Sequence, residues 1–187
     1  FSSNGKSLFV VRVEKDSTQR IWQSSIKKPK YKCYDKVNDK IGYFCFSNAK
    51  TYVAFKLTKP FSLVQCKKGS RNNLLLNETP GRCIKSDVLR KNTYFIEWHD
   101  HVPFLVKLDN TTKEKTKIIQ MPDGVQDFCI SEENILYFIE SSSIFSINVA
   151  SAQPEVVKVS DWEFAGKTSR LSMQPGLHKL AVVVEEL

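Results

Sequence analysis

The stretch Tyr94-Phe95-Ile96-Glu97 reappears, letter for letter, as Tyr137-Phe138-Ile139-Glu140, 43 residues on. Phe44-Cys45-Phe46-Ser47 returns as Phe128-Cys129-Ile130-Ser131, 84 residues on, or two periods of 42. A period of this size marks a repeat architecture. One landmark per unit ends an apolar strand just before a polar turn: Phe1, Phe46, Val88, Ile130 and Met173, spaced by 45, 42, 42 and 43. The turns that follow are built from Ser, Asn, Gly, Glu and Lys, as in Ser47-Asn48-Ala49-Lys50 and Ser131-Glu132-Glu133-Asn134. Such residues tolerate the dihedrals of tight turns and punctuate strands.

A β-rich run follows each turn: Leu8 to Val13, Tyr52 to Leu57, Tyr94 to Trp98, Leu136 to Ile139 and Leu180 to Val184. A third strand is expected about ten residues further on, at Arg20 to Gln23, Phe61 to Cys66, Phe104 to Leu108 and Ile144 to Val149. A weaker fourth is readable at Lys117 to Met121 and at Pro154 to Val159. Four short strands per roughly 40–45 residues is the blade of a β-propeller. No apolar pattern of helical period is sustained, which excludes helical repeats. An immunoglobulin-like sandwich also spaces strands regularly, but it does not predict identical landmarks at a fixed period.

The expectation is therefore an all-β, divergent WD40-like propeller spanning 1–187, with units near 1–45, 46–87, 88–129 and 130–172 and the start of a further unit at 173–187. That is about four blades. Both ends of the chain fall at the same point of a blade, so it reads as part of a larger propeller. Trp22 stands where WD-type repeats place their tryptophan, but Gln23 follows in place of Asp, so the WD repeat is divergent. Trp22, Trp98 and Trp162 read as packing residues.

Lys plus Arg number 28 against 20 Asp plus Glu, a net charge of +8. That surplus favours anionic partners. The cations cluster after the third strand of each blade: Lys27, Lys28, Lys30 and Lys32 in the first, Lys67, Lys68 and Arg71 in the second, Lys113, Lys115 and Lys117 in the third. The fourth breaks the pattern with Ala150-Ser151-Ala152-Gln153. Tyr31 and Tyr34 interleave with the first cluster and are candidates to stack on bases. These residues form the expected RNA-binding set. Incidental lysines in solvated turns are the bland alternative.

No other chemistry is legible. There is no G-x-S-x-G, no phosphate-binding glycine loop and no H-E-x-x-H, so neither an enzyme nor a cofactor is expected. His99 and His101 flank Asp100 and could share a face in an extended segment, but no further ligand lies near, and a polar hairpin turn explains them. The five cysteines, at 33, 45, 66, 83 and 129, lack C-x-x-C spacing. They read as reduced thiols of an intracellular protein, with Cys45 and Cys129 as small packing residues. No run is long and apolar enough for a membrane helix.

Several blade openings carry a family resemblance. Leu8-Phe9-Val10-Val11-Arg12-Val13, a long basic connection, then Cys45-Phe46-Ser47-Asn48-Ala49-Lys50-Thr51 resemble the start of the eukaryotic translation initiation factor 2A family. Lys91-Asn92-Thr93 ahead of Trp98, Asp127-Phe128-Cys129-Ile130-Ser131-Glu132-Glu133, and Leu171-Ser172-Met173-Gln174-Pro175-Gly176 leading into His178-Lys179-Leu180-Ala181-Val182-Val183-Val184 continue it in order. The resemblance spans nearly the whole chain. It implies a propeller of about nine blades, of which this chain is the first half. It implies a cytoplasmic, non-catalytic scaffold that binds the small ribosomal subunit and helps deliver initiator tRNA, alongside other protein subunits. It transfers no single functional residue. The rival reading is a WD40-like protein–protein scaffold of another intracellular complex.

Overall fold

β-Branched and aromatic residues at alternate positions, cut by polar turns, produce short antiparallel strands. The computed structural model describes residues 2, 5–125, 127–141, 143–161, 167–174, 176 and 179–185. The described residues contain no helix. The landmark Phe1 and Trp162 lie outside them. The chain divides into two compact units, Phe1–Pro80 and Gly81–Leu187.

In the first unit, β1 (Ser7–Val13), β2 (Gln19–Ser25) and β3 (Lys32–Cys33) form one sheet in that order. A second sheet runs β4 (Ile41–Phe46), β5 (Thr51–Lys56), β6 (Ser62–Lys67), β7 (Leu74–Asn77). Ile21, Tyr34, Ile41, Tyr52, Ala54, Val64 and Cys66 are buried together between these sheets. Phe9, Val11, Phe44 and Phe46 close around them. The rings meet edge to face: Phe9 and Phe46 have centroids 4.7 Å apart, and Phe9 and Tyr34 5.2 Å. This arrangement satisfies the ring quadrupoles beyond simple area burial.

In the second unit, β8 (Pro80–Ser86), β9 (Asn92–His99), β10 (Val102–Asp109) and β11 (Lys115–Gln120) make a four-stranded sheet. So do β12 (Phe128–Ile130), β13 (Ile135–Glu140), β14 (Ser143–Asn148) and β15 (Val156–Asp161). A final hairpin pairs β16 (Lys167–Gln174) with β17 (Lys179–Glu185). Tyr94, Ile96, Leu105, Met121, Phe128, Leu136, Phe138 and Ile147 share one core. Cys83 sits in it and bonds to the Phe128 backbone both ways, accepting from the amide at 3.4 Å and donating to the carbonyl at 3.3 Å. Burial pushes its thiol well above the usual range. Asp127 accepts from the Leu171 amide at 2.9 Å and so ties β16 to this core.

Consecutive four-stranded antiparallel meanders of this kind are propeller blades, and the fold is a β-propeller. The repeated Tyr-Phe-Ile-Glu stretches occupy the second strand of their sheets, β9 and β13. Two details depart from the sequence expectation. Val88 does not end a strand: β8 stops at Ser86, and Val88 lies 57% exposed in the following turn. Phe128 is fully buried, but Phe44, Phe46 and Ile130 are only partly covered and border their cores.

One hydrogen bond recurs in every blade that has both strands. The residue just before the second strand accepts from the amide just after the third. The pairs are Lys6 and Ile26 (3.1 Å), Lys50 and Lys68 (2.8 Å), Lys91 and Asn110 (2.8 Å), and Asn134 and Val149 (3.1 Å). The ladder thus runs one pair past the hairpin and brings two turns of each blade side by side.

Candidate nucleic-acid interface

The first unit carries three exposed basic segments. The β2–β3 connection carries Lys27, Lys28, Lys30 and Tyr31, all exposed, and Lys32 opens β3. Lys67 ends β6, with Lys68 and Arg71 in the loop beyond it, again exposed. The hydrogen bond between Lys68 and Lys50 adds a cation that sequence reading missed, since Lys50 belongs to the turn after the first strand. Lys36 extends the same exposed surface.

A buried carboxylate holds these loops together. Asp35 is 1% exposed. Its Oδ1 accepts from the amides of Val37 (2.9 Å), Asn38 (3.3 Å) and Gly69 (3.4 Å). Its Oδ2 accepts from Asn38 Nδ2 at 3.0 Å and from the Tyr52 hydroxyl at 2.9 Å. Asn38 in turn donates to the Ser70 carbonyl at 3.0 Å and accepts from Asn73 Nδ2 at 2.8 Å. Burial works against the Asp35 charge, but the hydrogen bonds from Asn38, Val37 and Tyr52 outweigh it and hold the carboxyl below its usual range. The same carboxylate contributes, after burial and Cys66, to raising the pKa of Tyr52, which stays a neutral donor.

Tyr34 does not serve as a stacking platform. It is 7% exposed, and its hydroxyl donates to the Ala49 carbonyl at 2.9 Å. Lys68 Nζ lies 4.2 Å from the centroid of its ring, an attractive cation–π contact. The alternation of Tyr with Lys in sequence hid this, because the chain turns inward after Cys33. Tyr31 is 53% exposed.

In the second unit the third basic cluster is arranged differently. Lys113 alone stays in the turn after β10, at φ 70°, and its ammonium folds back onto the Asn110 carbonyl. Burial, only partly offset by Asp109, lowers its pKa. Lys115 and Lys117 belong to β11 itself and not to the turn. Lys115 Nζ pairs with buried Glu97 at 3.1 Å, and Lys117 Nζ lies 4.8 Å from the Phe104 centroid. These two cations have intramolecular partners on their own sheet.

His99 also meets Glu97, with Nε2 2.6 Å from Oε1. His101 and Asp100 are exposed turn residues at φ 67° and 47°. Among the described residues no group of three or more His, Cys, Asp or Glu is placed to hold a metal ion. No disulfide joins any two of the five cysteines. At the equivalent turns of the fourth blade, Glu132 and Glu133 replace the cations. They line a small cleft with Val88, Ile130 and Met173. No helix among the described residues is long and apolar enough to cross a membrane.

No protein-family model matches the sequence, and no curated protein does. Solved structures do match. A TolB from Agrobacterium tumefaciens superimposes with a TM-score of 0.70 at 13% identity, over 100% of this chain and 68% of that one. The nidogen/laminin complex matches with a TM-score of 0.66 at 12% identity, over 96% of this chain and 68% of that one. A gluconolactonase from Xanthomonas campestris gives 0.60 at 9% identity, over 92% and 67%. At such identities the likeness is one of fold. These proteins include an enzyme and a protein complex, so the shared fold leaves catalysis undecided.

Proposed function

We propose that this chain is a non-catalytic propeller scaffold that binds RNA, acting in the cytoplasm on the small ribosomal subunit and initiator tRNA during translation initiation. The observation that carries the RNA-binding reading is that the first unit exposes three basic segments, of which Lys50 and Lys68 are joined through their backbones and the loop after Lys68 is tied to Asp35 and Asn38. Lys27, Lys28, Lys30, Lys32, Lys50, Lys67, Lys68 and Arg71 are all exposed, and backbone and side-chain hydrogen bonds hold the Lys50 and Lys67–Arg71 segments in place. A fixed array of cations is the footprint expected for a phosphate backbone, whose counterions are released on binding. The assignment to translation initiation is supported by the resemblance of the blade openings to initiation factor 2A.

A second reading, a protein–protein scaffold, is favoured by Val88 and Leu89. They stand 57% and 73% exposed in one turn. The two readings separate on salt. The protein is sedimented with purified small ribosomal subunits and with initiator tRNA across a range of ionic strength. RNA binding through this surface gives a steep loss of affinity with salt. Binding to neither, or salt-independent association, overturns the proposal.

A further inference from the structure

We infer that the ligand of the basic surface is single-stranded RNA, with one unstacked base seated on Tyr31; this rests on the RNA-binding reading above. Three observations point to it. First, Tyr31 is the open tyrosine of the basic segments, because Tyr34 is buried and capped by Lys68. An aromatic face gains from a nucleic acid only if a base face is available, and a duplex hides its base faces in the stack.

Second, Lys30 and Lys32 flank Tyr31 directly, in a connection exposed from Ser25 to Lys32. The chain bends over residues 26–28, Pro29 fixes its own φ, and the segment then runs into β3 at Lys32. Alternate residues of extended chain lie roughly 6.6 Å apart. That repeat matches the spacing of successive phosphates in an extended strand.

Third, the loops that carry Lys50 and Lys68 are tied to the residues just after Lys32. Tyr34 reaches the Ala49 carbonyl, and Asp35 reaches the Gly69 amide. Lys68 is therefore held over the Tyr34 ring, three residues along the chain from Tyr31, before any ligand arrives, which lowers the ordering cost of binding.

The test uses the whole protein, a fluorescent oligouridylate, and an RNA duplex of the same length. Tyr31→Ala is expected to weaken oligouridylate binding about tenfold and Tyr31→Phe to leave it near wild type, since stacking needs the ring and not the hydroxyl. Duplex affinity should be lower than that of the single strand and unmoved by either change. A 4-thiouridine oligomer should crosslink to the 27–32 segment. Equal weakening on both probes, or none on the single strand, overturns the single-strand assignment. Replacing Lys28, Lys30 and Lys32 with Ala separates the two levels. If that variant weakens both probes while Tyr31→Ala weakens neither, RNA binding stands and the stacking site falls. If neither change alters binding, the RNA-binding surface itself falls, and this inference with it. Tyr31 lies outside the core, and unchanged thermal melts of the variants confirm that affinity alone is read.

Discussion

The Tyr52 hydroxyl donates to Asp35 Oδ2 at 2.9 Å, from the middle of the second blade's core to the base of its basic loops. The loops therefore rest on the core through a charged hydrogen bond, and their geometry depends on that charge.

Replacing Asp35 with Ala leaves the Tyr52 hydroxyl and the Asn38 amide group without their buried acceptor. The expected cost is about 3 kcal/mol, the upper end for removing one buried partner. Denaturant unfolding of the variant against wild type measures it. A change within the error of the fit would mean that water replaces the carboxylate.

The same residue sets a pH dependence. Its carboxyl is held below the usual 3.8, so its contribution is fully present above that value and is lost as pH falls through the lower folded value. The stability gap between wild type and Asp35→Asn should therefore be constant from neutral pH to about pH 5 and close on further acidification. A gap that widens in acid would mean that folding raises this carboxyl's pKa instead of lowering it.

Gly81 and Gly42 make a contrasting pair. A Cβ on Gly81 would sit 2.8 Å from Ile96 Cβ and 3.4 Å from the Ile96 carbonyl, with no flexible atom to yield. Gly81→Ala should cost about 1–3 kcal/mol through overpacking. On Gly42 the nearest atom is Leu57 Cδ2 at 3.2 Å, the end of a side chain that can turn. Gly42→Ala should cost clearly less, and a thermal melt that ranks them the other way contradicts the packing.

Phe128→Ala should cost about 3–5 kcal/mol, as expected for a fully buried ring. Ile130→Ala, at the partly covered edge of the same strand, should cost less. Denaturant unfolding of both variants gives the comparison, and equal costs at the two sites would place the core boundary elsewhere.

Alanine at Lys27, Lys28, Lys30 and Lys32 should weaken RNA binding and flatten its salt dependence. The log–log slope should fall by roughly 0.7 for each single-strand phosphate that is no longer neutralised. Lys115→Ala and Lys117→Ala should leave that slope unchanged, because Glu97 and Phe104 already engage these cations. A slope that drops with the β11 variants would bring that strand into the interface.

The fold was legible because its cause is periodic. An identical tetrapeptide at a fixed spacing marks the same strand of successive blades, and the strands from Thr51 to Gln120 follow the expected order except for β7, whose Leu74–Asn77 run carries no clear strand signal. The site was legible only in part. Charge runs are visible in a sequence, so the clusters after β2 and β6 were found. Lys50 was missed because the ladder that brings it to Lys68 joins turns 18 residues apart. Tyr34, Lys115 and Lys117 were assigned outward, but the inward or paired fate of each depends on Ala49, Glu97 and Phe104, which no local pattern announces.

The bond that joins the two turns of each blade uses main-chain atoms alone, from Lys6 and Ile26 to Asn134 and Val149. It is indifferent to what those residues carry. A blade end can thus trade lysine for glutamate without loosening its hairpin, much as a fitting accepts any tool of the right shank. The cationic ends near Lys50 and the acidic end at Glu132 and Glu133 are two loads on the same mount.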